Sequence, residues 1–300
     1  MTRALTTQVP SQVRTRPMPT SVQPVGLLAG WGRFPVIFAE KAREQGLPVV
    51  CVAIKHEASP ILQNLCTEFH WAGVAQMGKM IRTFRKASVH EVIMAGKIHK
   101  QVMYQPWYWL SLMPDLRTFL FWFWRRRRDN KDDTLLLSLI DEFARDGLTF
   151  GSALDYCPEL LVKPGVLTRR SPTASEQADI AFGWQLAKEM GRLDVGQSIA
   201  VLDKAVLAVE AIEGTDKAIL RAGEFCKRGG FVVVKVAKPQ QDRRFDVPTV
   251  GPSTIESLHR AGGRVLAIEA RQTILIDETE TIALADRYGL TIVACDDPNP

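Results

Sequence analysis

Apolar residues fall in short continuous blocks separated by amphipathic stretches over most of the chain. VGLLA (25–29) is the first block. A glycine turn follows, then an amphipathic stretch that begins near Pro35 and stops at Gly46 and Pro48, then the apolar run VVCVAI. Strands buried on both faces require such uninterrupted runs, and a proline near the start with a glycine at the stop brackets a helix. Glu68–Ala72 and Glu91–Ala95 read as a third and a fourth strand, with a helix over Met77–Lys86 between them. The alternation predicts a Rossmann-like parallel sheet in this part of the chain.

Further on, DDTLLLSLIDEFARD (132–146) predicts an amphipathic helix with an acidic start and Gly147 as its stop. The pattern weakens between Cys157 and Pro164, where two prolines bracket it, and we place the domain boundary there. Residues 25–156 then form the first domain and residues 157–300 the second. The second unit opens with a helix over Ser175–Gly191 and two adjacent strand runs, SIAVLD and AVLAVEAI. A helix near Asp216–Arg228, the strand FVVVKVA, an irregular loop and another helix follow. Strands at VLAIEA and TILID, a helix and the strand LTIVAC complete it. The fold class is two α/β domains, the N-terminal one Rossmann-like. No internal repeat is present.

Composition narrows the function classes only slightly. The 300 residues are 46% hydrophobic and 24% charged, as expected of a well-cored globular protein. A formal charge of +5 suits an anionic ligand or membrane surface but is too small to indicate nucleic acid. Five cysteines, at 51, 66, 157, 226 and 295, form no CxxC pair, so neither a disulfide framework nor a zinc site is supported. A reducing cytosol is the natural setting. Residues 1–24 lack an apolar core and are rich in Thr, Pro, Ser and Gln, which predicts a disordered extension rather than a secretory signal. No apolar run approaches the roughly 20 residues of a membrane span.

Four stretches carry candidate chemistry. Gly30-Trp31-Gly32-Arg33-Phe34-Pro35 follows the first strand and could free backbone N–H groups for a phosphate. Pro35 stands where the dinucleotide fingerprint needs a third glycine, and no acidic residue ends the second strand. A phosphate- or sugar-holding turn and a merely structural turn both remain open. VEAIEGTD (209–216) sets Glu210, Glu213 and Asp216 three apart across a strand-to-helix junction. Thr215 fits a helix N-cap and Asp216 could simply serve the helix dipole. Glu210 ends an apolar strand, where open α/β sheets bind ligands and oxygen donors suit magnesium.

The third stretch, KPQQDRRFDVPTVG (238–251), mixes two prolines, a glycine and both signs of charge. Such a loop is ordinarily a solvated turn. Here an apolar strand delivers Lys238, Gln241, Asp242, Arg243, Arg244 and Asp246 into it, Pro248 and Gly251 fix its exit, and Thr254 lies near the next helix start. Basic residues would hold phosphate oxygens and carboxylates a divalent cation or a water, which suggests metal-assisted attack on a phosphoanhydride. The fourth, QPWYWLSLMPDLRTFLFWFWRRRRDNKDD (105–133), gathers aromatic residues and then four arginines. It reads either as an interfacial membrane element or as a core helix with a solvated basic end.

KPQQDRRFDVPTVG, LAVEAIEGTD, GRLDVGQSIAV and the AGWGRFP turn resemble the UDP-2,3-diacylglucosamine pyrophosphatases of the LpxI type, over nearly all of the chain after residue 24. The resemblance implies two domains joined by a tether and closing on the substrate. It also implies magnesium-dependent hydrolysis of UDP-diacylglucosamine to UMP and diacylglucosamine 1-phosphate, in the cytoplasm. Asp246 falls on the essential aspartate of the family's FDxPTxG motif and would bind magnesium or orient the water. Lys238 and Arg244 would neutralise the pyrophosphate, and Glu210 and Asp216 would lie at the metal. Gly30, Gly32, Gln197, Glu213, Gly214, Thr215, Gln241, Arg243, Thr249 and Thr254 would contact substrate. Weak peripheral contact with an anionic inner-membrane surface is expected, nucleic acid is not, and a homodimer is allowed. Two departures stand out. Trp31 replaces a glycine of the family turn, and AGKIHKQ, with Lys97, His99 and Lys100, stands where an Arg-Pro pair is usual. Another nucleotide-sugar enzyme, such as a transferase, and a non-catalytic binding module are the competing readings.

Overall fold

The computed structural model describes residues 23–98, 114–125, 132–244 and 247–297. The first sheet contains β1 (Val25–Ala29), β2 (Val49–Ile54), β3 (Glu68–Ala72), β4 (Glu91–Ala95) and β5 (Thr149–Gly151). Its order is β3-β2-β1-β4-β5 and every pairing is parallel. β1 and β2 are buried at every position, as their unbroken apolar runs require. Helix α1 (Phe34–Glu44) covers one face through Val36, Phe38 and Ala39. Helix α2 (Met77–Lys86) and helix α4 (Asp132–Ala144) cover the other through Ile81, Phe84 and Phe143. Helix α3 (Leu116–Arg125) lies against α2. The two α/β domains are as the apolar pattern predicts. β5 is an addition: with three residues, TFG, it is too short to form a recognisable block.

The second sheet is mixed. It contains β6 (Gly165–Val166), β7 (Ser198–Leu202), β8 (Ala205–Val209), β9 (Val232–Lys235), β11 (Val265–Glu269) and β13 (Thr291–Cys295). The order is β6-β13-β11-β9-β7-β8. β9, β11 and β13 run parallel, while β7 is antiparallel to both neighbours and β6 is antiparallel to β13. Asp203 and Lys204 turn the β7–β8 hairpin with positive φ, and both of their N–H groups donate to the buried Asp179 carboxylate, at 2.9 and 2.7 Å. Helix α5 (Ala174–Arg192) covers one face through Ile180, Trp184 and Ala187. Helices α6 (Thr215–Phe225), α7 (Pro252–Arg260) and α8 (Glu278–Arg287) cover the other.

TILID does not join this sheet. Its two-residue strand β12 (Ile274–Leu275) pairs with β10 (Thr249–Val250), at the exit of the 238–251 loop, and Ile274 also bridges to Leu161. The loop's end is thereby pinned to the body of the second domain.

Cys157 and Leu160 pack in the first domain's core, and Val162 belongs to the second's. The changeover therefore falls just beyond the 156/157 position suggested by the weakening pattern. Contacts across the boundary include Ser152 Oγ donating to the Arg243 carbonyl at 2.9 Å, and Arg33 Nε lying 3.5 Å from Asp277 Oδ1.

Candidate functional site

Strands β8, β9, β11 and β13 all end at one edge of the second sheet. Helices α6 and α7 begin there, so their free N–H groups and positive dipole ends face the same region. Lys235, the last residue of β9, is only 3% exposed. A buried ammonium must be compensated by polar partners. Lys235 Nζ donates to Thr215 Oγ1 and to the Thr249 carbonyl, each at 3.0 Å. The Thr215 hydroxyl in turn donates to Glu210 Oε1 at 3.0 Å. Lys235, Thr215 and Glu210 thus form one chain that links the end of β9, the first turn of α6 and the junction after β8. Glu210 is also buried, and its Oε2 has no partner among the described residues. Ser198 Oγ lies 3.5 Å from Thr215 Oγ1, and the Glu210 N–H donates to the Ser198 carbonyl at 2.9 Å.

The EGTD junction is built to turn sharply into α6. Gly214 precedes the helix at φ 85°, a left-handed conformation that glycine adopts without strain. Glu213 Oε2 accepts the Ala211 N–H at 3.2 Å, and its Oε1 is bound by the Arg221 guanidinium. Its own backbone N–H, and then Arg221, outweigh burial and hold the Glu213 carboxyl below its ordinary range. Asp216 sits in the first turn of α6.

The 238–251 loop is internally tied. Arg244 clamps Asp242 with Nε 2.9 Å from Oδ1 and Nη2 2.6 Å from Oδ2. This pairing holds the Asp242 carboxyl below its ordinary value and raises the guanidinium. Lys238 Nζ meets Asp194 Oδ1 at 2.6 Å, and Arg243 Nη2 donates to Gln272 Oε1 at 2.7 Å. Gln241 Oε1 accepts the Lys238 N–H at 2.9 Å, while its Nε2 is buried without a partner among the described residues. A cavity of about 270 Å³ lies under the loop, where Lys188, Lys238, Arg243, Gln241 and Glu269 meet Leu154 from the other side of the domain boundary. Lys188 Nζ is held 2.7 Å from both oxygens of Glu269.

Of the residues expected at the site, Glu210, Thr215 and Thr249 converge on Lys235. Thr254 is buried in the first turn of α7. Gln197, just before β7, accepts the Val236 N–H through its carbonyl at 3.0 Å, and its Oε1 is buried without a partner among the described residues. Lys238 and Arg244, expected to neutralise phosphate, are each matched by a neighbouring carboxylate. Asp246 lies outside the described residues. Among the described residues no group of three or more Asp, Glu, His or Cys could hold a metal ion. The unpartnered Glu210 Oε2 is a hard oxygen donor of the kind magnesium selects.

Sequence reading missed Lys235, Ser198 and the Lys188–Glu269 pair. The signal for Lys235 was available: a single charged residue inside FVVVKVA interrupts a fully buried strand and demands partners.

The first domain's glycine turn is bonded differently. The N–H of Trp31 donates to the Lys97 carbonyl at 2.7 Å and the N–H of Lys97 returns to Trp31 at 2.9 Å. This backbone bridge joins the loops after β1 and β4, across the point where the strand order reverses. A Cβ on Gly30 would fall 2.6 Å from the Lys97 carbonyl oxygen, so close backbone approach accounts for that glycine. Gly32, at φ 110°, has open space where a side chain would stand, which leaves room for a ligand. His99 and Lys100 lie outside the described residues.

Comparison with known proteins follows the same division of the chain. The LpxI N-terminal domain family matches residues 24–160, and the LpxI C-terminal domain family matches residues 163–293. A curated protein of Caulobacter vibrioides (strain ATCC 19089 / CIP 103742 / CB 15), named UDP-2,3-diacylglucosamine pyrophosphatase LpxI, is 31% identical over 282 residues, covering 91% of this chain and 97% of that protein. Among solved structures, the biotin carboxylase subunit of pyruvate carboxylase aligns at 13% identity with a TM-score of 0.26, over 70% of this chain and 41% of that one.

Proposed function

The chain belongs to the LpxI family, and we propose that it hydrolyses the pyrophosphate bond of UDP-2,3-diacylglucosamine. The products are UMP and 2,3-diacylglucosamine 1-phosphate, and the step belongs to lipid A biosynthesis in the cytoplasm. The observation that carries the reading is the buried ammonium of Lys235 at the sheet edge where α6 and α7 begin. A fixed cation and two helix N-termini at one place suit the oxygens of a phosphoanhydride.

In this reading Lys235 and the first turn of α6 hold the charge that develops on the phosphoryl oxygens. Thr215 is kept in one orientation, because its proton goes to Glu210 and its lone pairs face Lys235. Asp246 orients the attacking water or takes part in holding magnesium, with Glu210 and Asp216 as its companions. Magnesium, when bound, supplies Lewis-acid stabilisation of the phosphate charge. Lys238, Gln241 and Arg243 line the cavity under the loop and offer contacts to the rest of the substrate. Gly32 gives the first domain a place of approach.

The test is incubation of the purified protein with UDP-2,3-diacylglucosamine and magnesium, followed by mass identification of products. UMP and the sugar 1-phosphate are expected without any added acceptor. Substrate that is bound but returned intact would favour a non-catalytic module, and an acceptor requirement would favour a transferase. EDTA should abolish hydrolysis and magnesium restore it, and full activity in excess chelator after prolonged dialysis would remove the metal from the reading.

A further inference from the structure

The 238–251 loop is rooted at both ends, by different means. At its exit, main-chain bonds continue the β10–β12 pairing: the Ile274 N–H donates to the Pro248 carbonyl at 2.8 Å and the Ile276 N–H to the Val250 carbonyl at 2.9 Å. At its entry, the Val236 N–H still finds main chain, the Gln197 carbonyl at 3.0 Å. The next N–H, that of Ala237, finds a side chain instead: Glu269 Oε2 accepts it at 2.7 Å. Lys188 Nζ donates to the Ala237 carbonyl at 3.2 Å and lies 2.7 Å from both Glu269 oxygens. One ion pair, with members on α5 and at the end of β11, thus holds both main-chain groups of Ala237. Ala237 is buried, where an unpaired main-chain group would be costly. Trp184, one turn earlier on α5, sets its buried ring 5.7 Å from Lys188 Nζ and narrows the positions open to the ammonium. Lys188, Ala237 and Glu269 line the same cavity of about 270 Å³ as Lys238, Gln241 and Arg243 of the loop.

We propose that Lys188 and Glu269 are positioning residues: by gripping Ala237 they fix the direction in which the loop leaves the sheet, and so where Lys238, Gln241 and Arg243 stand around the cavity. Their effect on turnover presupposes the proposed hydrolysis, in which those loop residues contact substrate. Replacing a buried ion pair by well-packed apolar residues is often neutral or stabilising, so folding alone gives little reason for charges here. What the charges add is direction, since the carboxylate takes the N–H and the ammonium the carbonyl of a single residue. The loop's pairing with the end of α5 gives less hold: Lys238 meets Asp194, whose side chain is 46% exposed, and solvent weakens such contacts. A displacement of about 1 Å in groups that orient a substrate can cost about a hundredfold in rate. The entry of the loop is therefore a place from which turnover can be governed at a distance.

The test takes two readouts on the full chain carrying Lys188→Met, the double change Lys188→Met with Glu269→Met, or the conservative Lys188→Arg. The first is kcat/KM for UDP-2,3-diacylglucosamine. The second is the rate at which trypsin cuts after Arg243 and Arg244, with the fragments identified by mass; it reports how often the loop opens and needs no substrate. Lys188→Met should lower kcat/KM about tenfold per folded molecule and speed cutting in the loop about fivefold, with cutting elsewhere unchanged. Lys188→Arg should bring both readouts back towards the parent. If Lys188→Met does not fold, the double variant, which leaves no unpaired charge behind, carries the same expectation. A lower melting temperature with kcat/KM and loop cutting both within about twofold of the parent would make the pair an ordinary structural tie and overturn the proposal. Loss of hydrolysis with unchanged loop cutting would also overturn it, since the pair would then act on the substrate directly. A parent that does not hydrolyse the substrate refutes the proposed activity, and the trypsin readout then decides alone whether the pair roots the loop.

Discussion

The two domains carry similar sheets yet finish their carboxyl edges in opposite ways. In the first, the loops after β1 and β4 are bridged by main chain, through the reciprocal Trp31–Lys97 hydrogen bonds, with glycine at positions 30 and 96 to allow the approach. In the second, the edge is lined by buried side chains: Lys235, Thr215, Glu210 and Ser198. A backbone bridge fixes shape but offers no titratable or cationic group. A side-chain cluster in a protein interior holds charge at a defined place, where low polarisability strengthens every interaction. Main chain therefore frames the first edge, and the second presents the side chains to which the proposed chemistry is assigned.

The strongest way to break that comparison is to remove Asp246, the carboxylate that the proposed function assigns to the water or the metal. Asp246→Asn should fold normally and lose at least about a hundredfold in hydrolysis, near 2.7 kcal/mol of transition-state stabilisation. A carboxylate offers two anionic oxygens to a hard cation or a water, and the amide offers one neutral oxygen. If circular dichroism matches the parent and the rate stays within about threefold, Asp246 is not the key carboxylate.

Next comes Lys235→Met, which keeps the length and apolar stem and deletes the ammonium. We expect kcat/KM to fall about thirtyfold, or about 2 kcal/mol, with a melting temperature close to the parent's. Partial recovery in Lys235→Arg would mark the charge as the active feature. A large drop in melting temperature with little change in kcat would make Lys235 a structural tie between β9 and α6.

The two edges also differed in how far they could be read from sequence. Unbroken apolar runs such as VVCVAI disclosed β1 and β2, because a strand buried on both faces leaves no other pattern, whereas the edge strand β3 alternates exposed and half-buried positions. The mixed second sheet was less open. SIAVLD and AVLAVEAI read as strands, but nothing in either run states that β7 turns antiparallel to β9, since pairing direction depends on distant partners. TILID carried a strand signal and paired with the loop's exit instead. At the site, Glu210 was visible as a carboxylate ending an apolar strand. Lys235 is a lone charge inside the apolar run FVVVKVA, less conspicuous than Lys238 and Arg244 in the charged loop beyond it. Both of those find carboxylate partners close by, Asp194 and Asp242, and no spacing rule reveals such a pairing in advance.

A smaller effect should come from the first edge. Gly96 lies at φ 89°, and a Cβ there would stand 2.7 Å from the Trp31 carbonyl oxygen. Gly96→Ala should lower stability by about 1–3 kcal/mol, seen as a melting temperature several degrees lower. Hydrolysis per folded molecule should change less than about twofold in kcat, because the bridge frames rather than reacts. An unchanged melting temperature would deny the close approach, and a collapse of kcat with stability intact would move this edge into the chemistry.

The smallest predicted effect belongs to Glu213, which stands just before α6 at the second edge. Its carboxyl is held below the ordinary value of 4.5 by its own N–H and by Arg221. A carboxylate whose pKa is depressed on folding adds stability that is fully present above the unfolded value and disappears as pH falls through the folded one. Parent and Glu213→Gln should therefore differ slightly in melting temperature at neutral pH, with the parent more stable. The difference should shrink below about pH 4.5 as the parent's carboxylate gains its proton. Both oxygens of Glu213 are already occupied, one by Arg221 and one by the Ala211 N–H. On that basis kcat and KM of the variant should stay within about threefold of the parent. A rise in KM of tenfold or more at unchanged melting temperature would give Glu213 a direct hold on the substrate and extend the reactive edge beyond Lys235, Thr215 and Glu210.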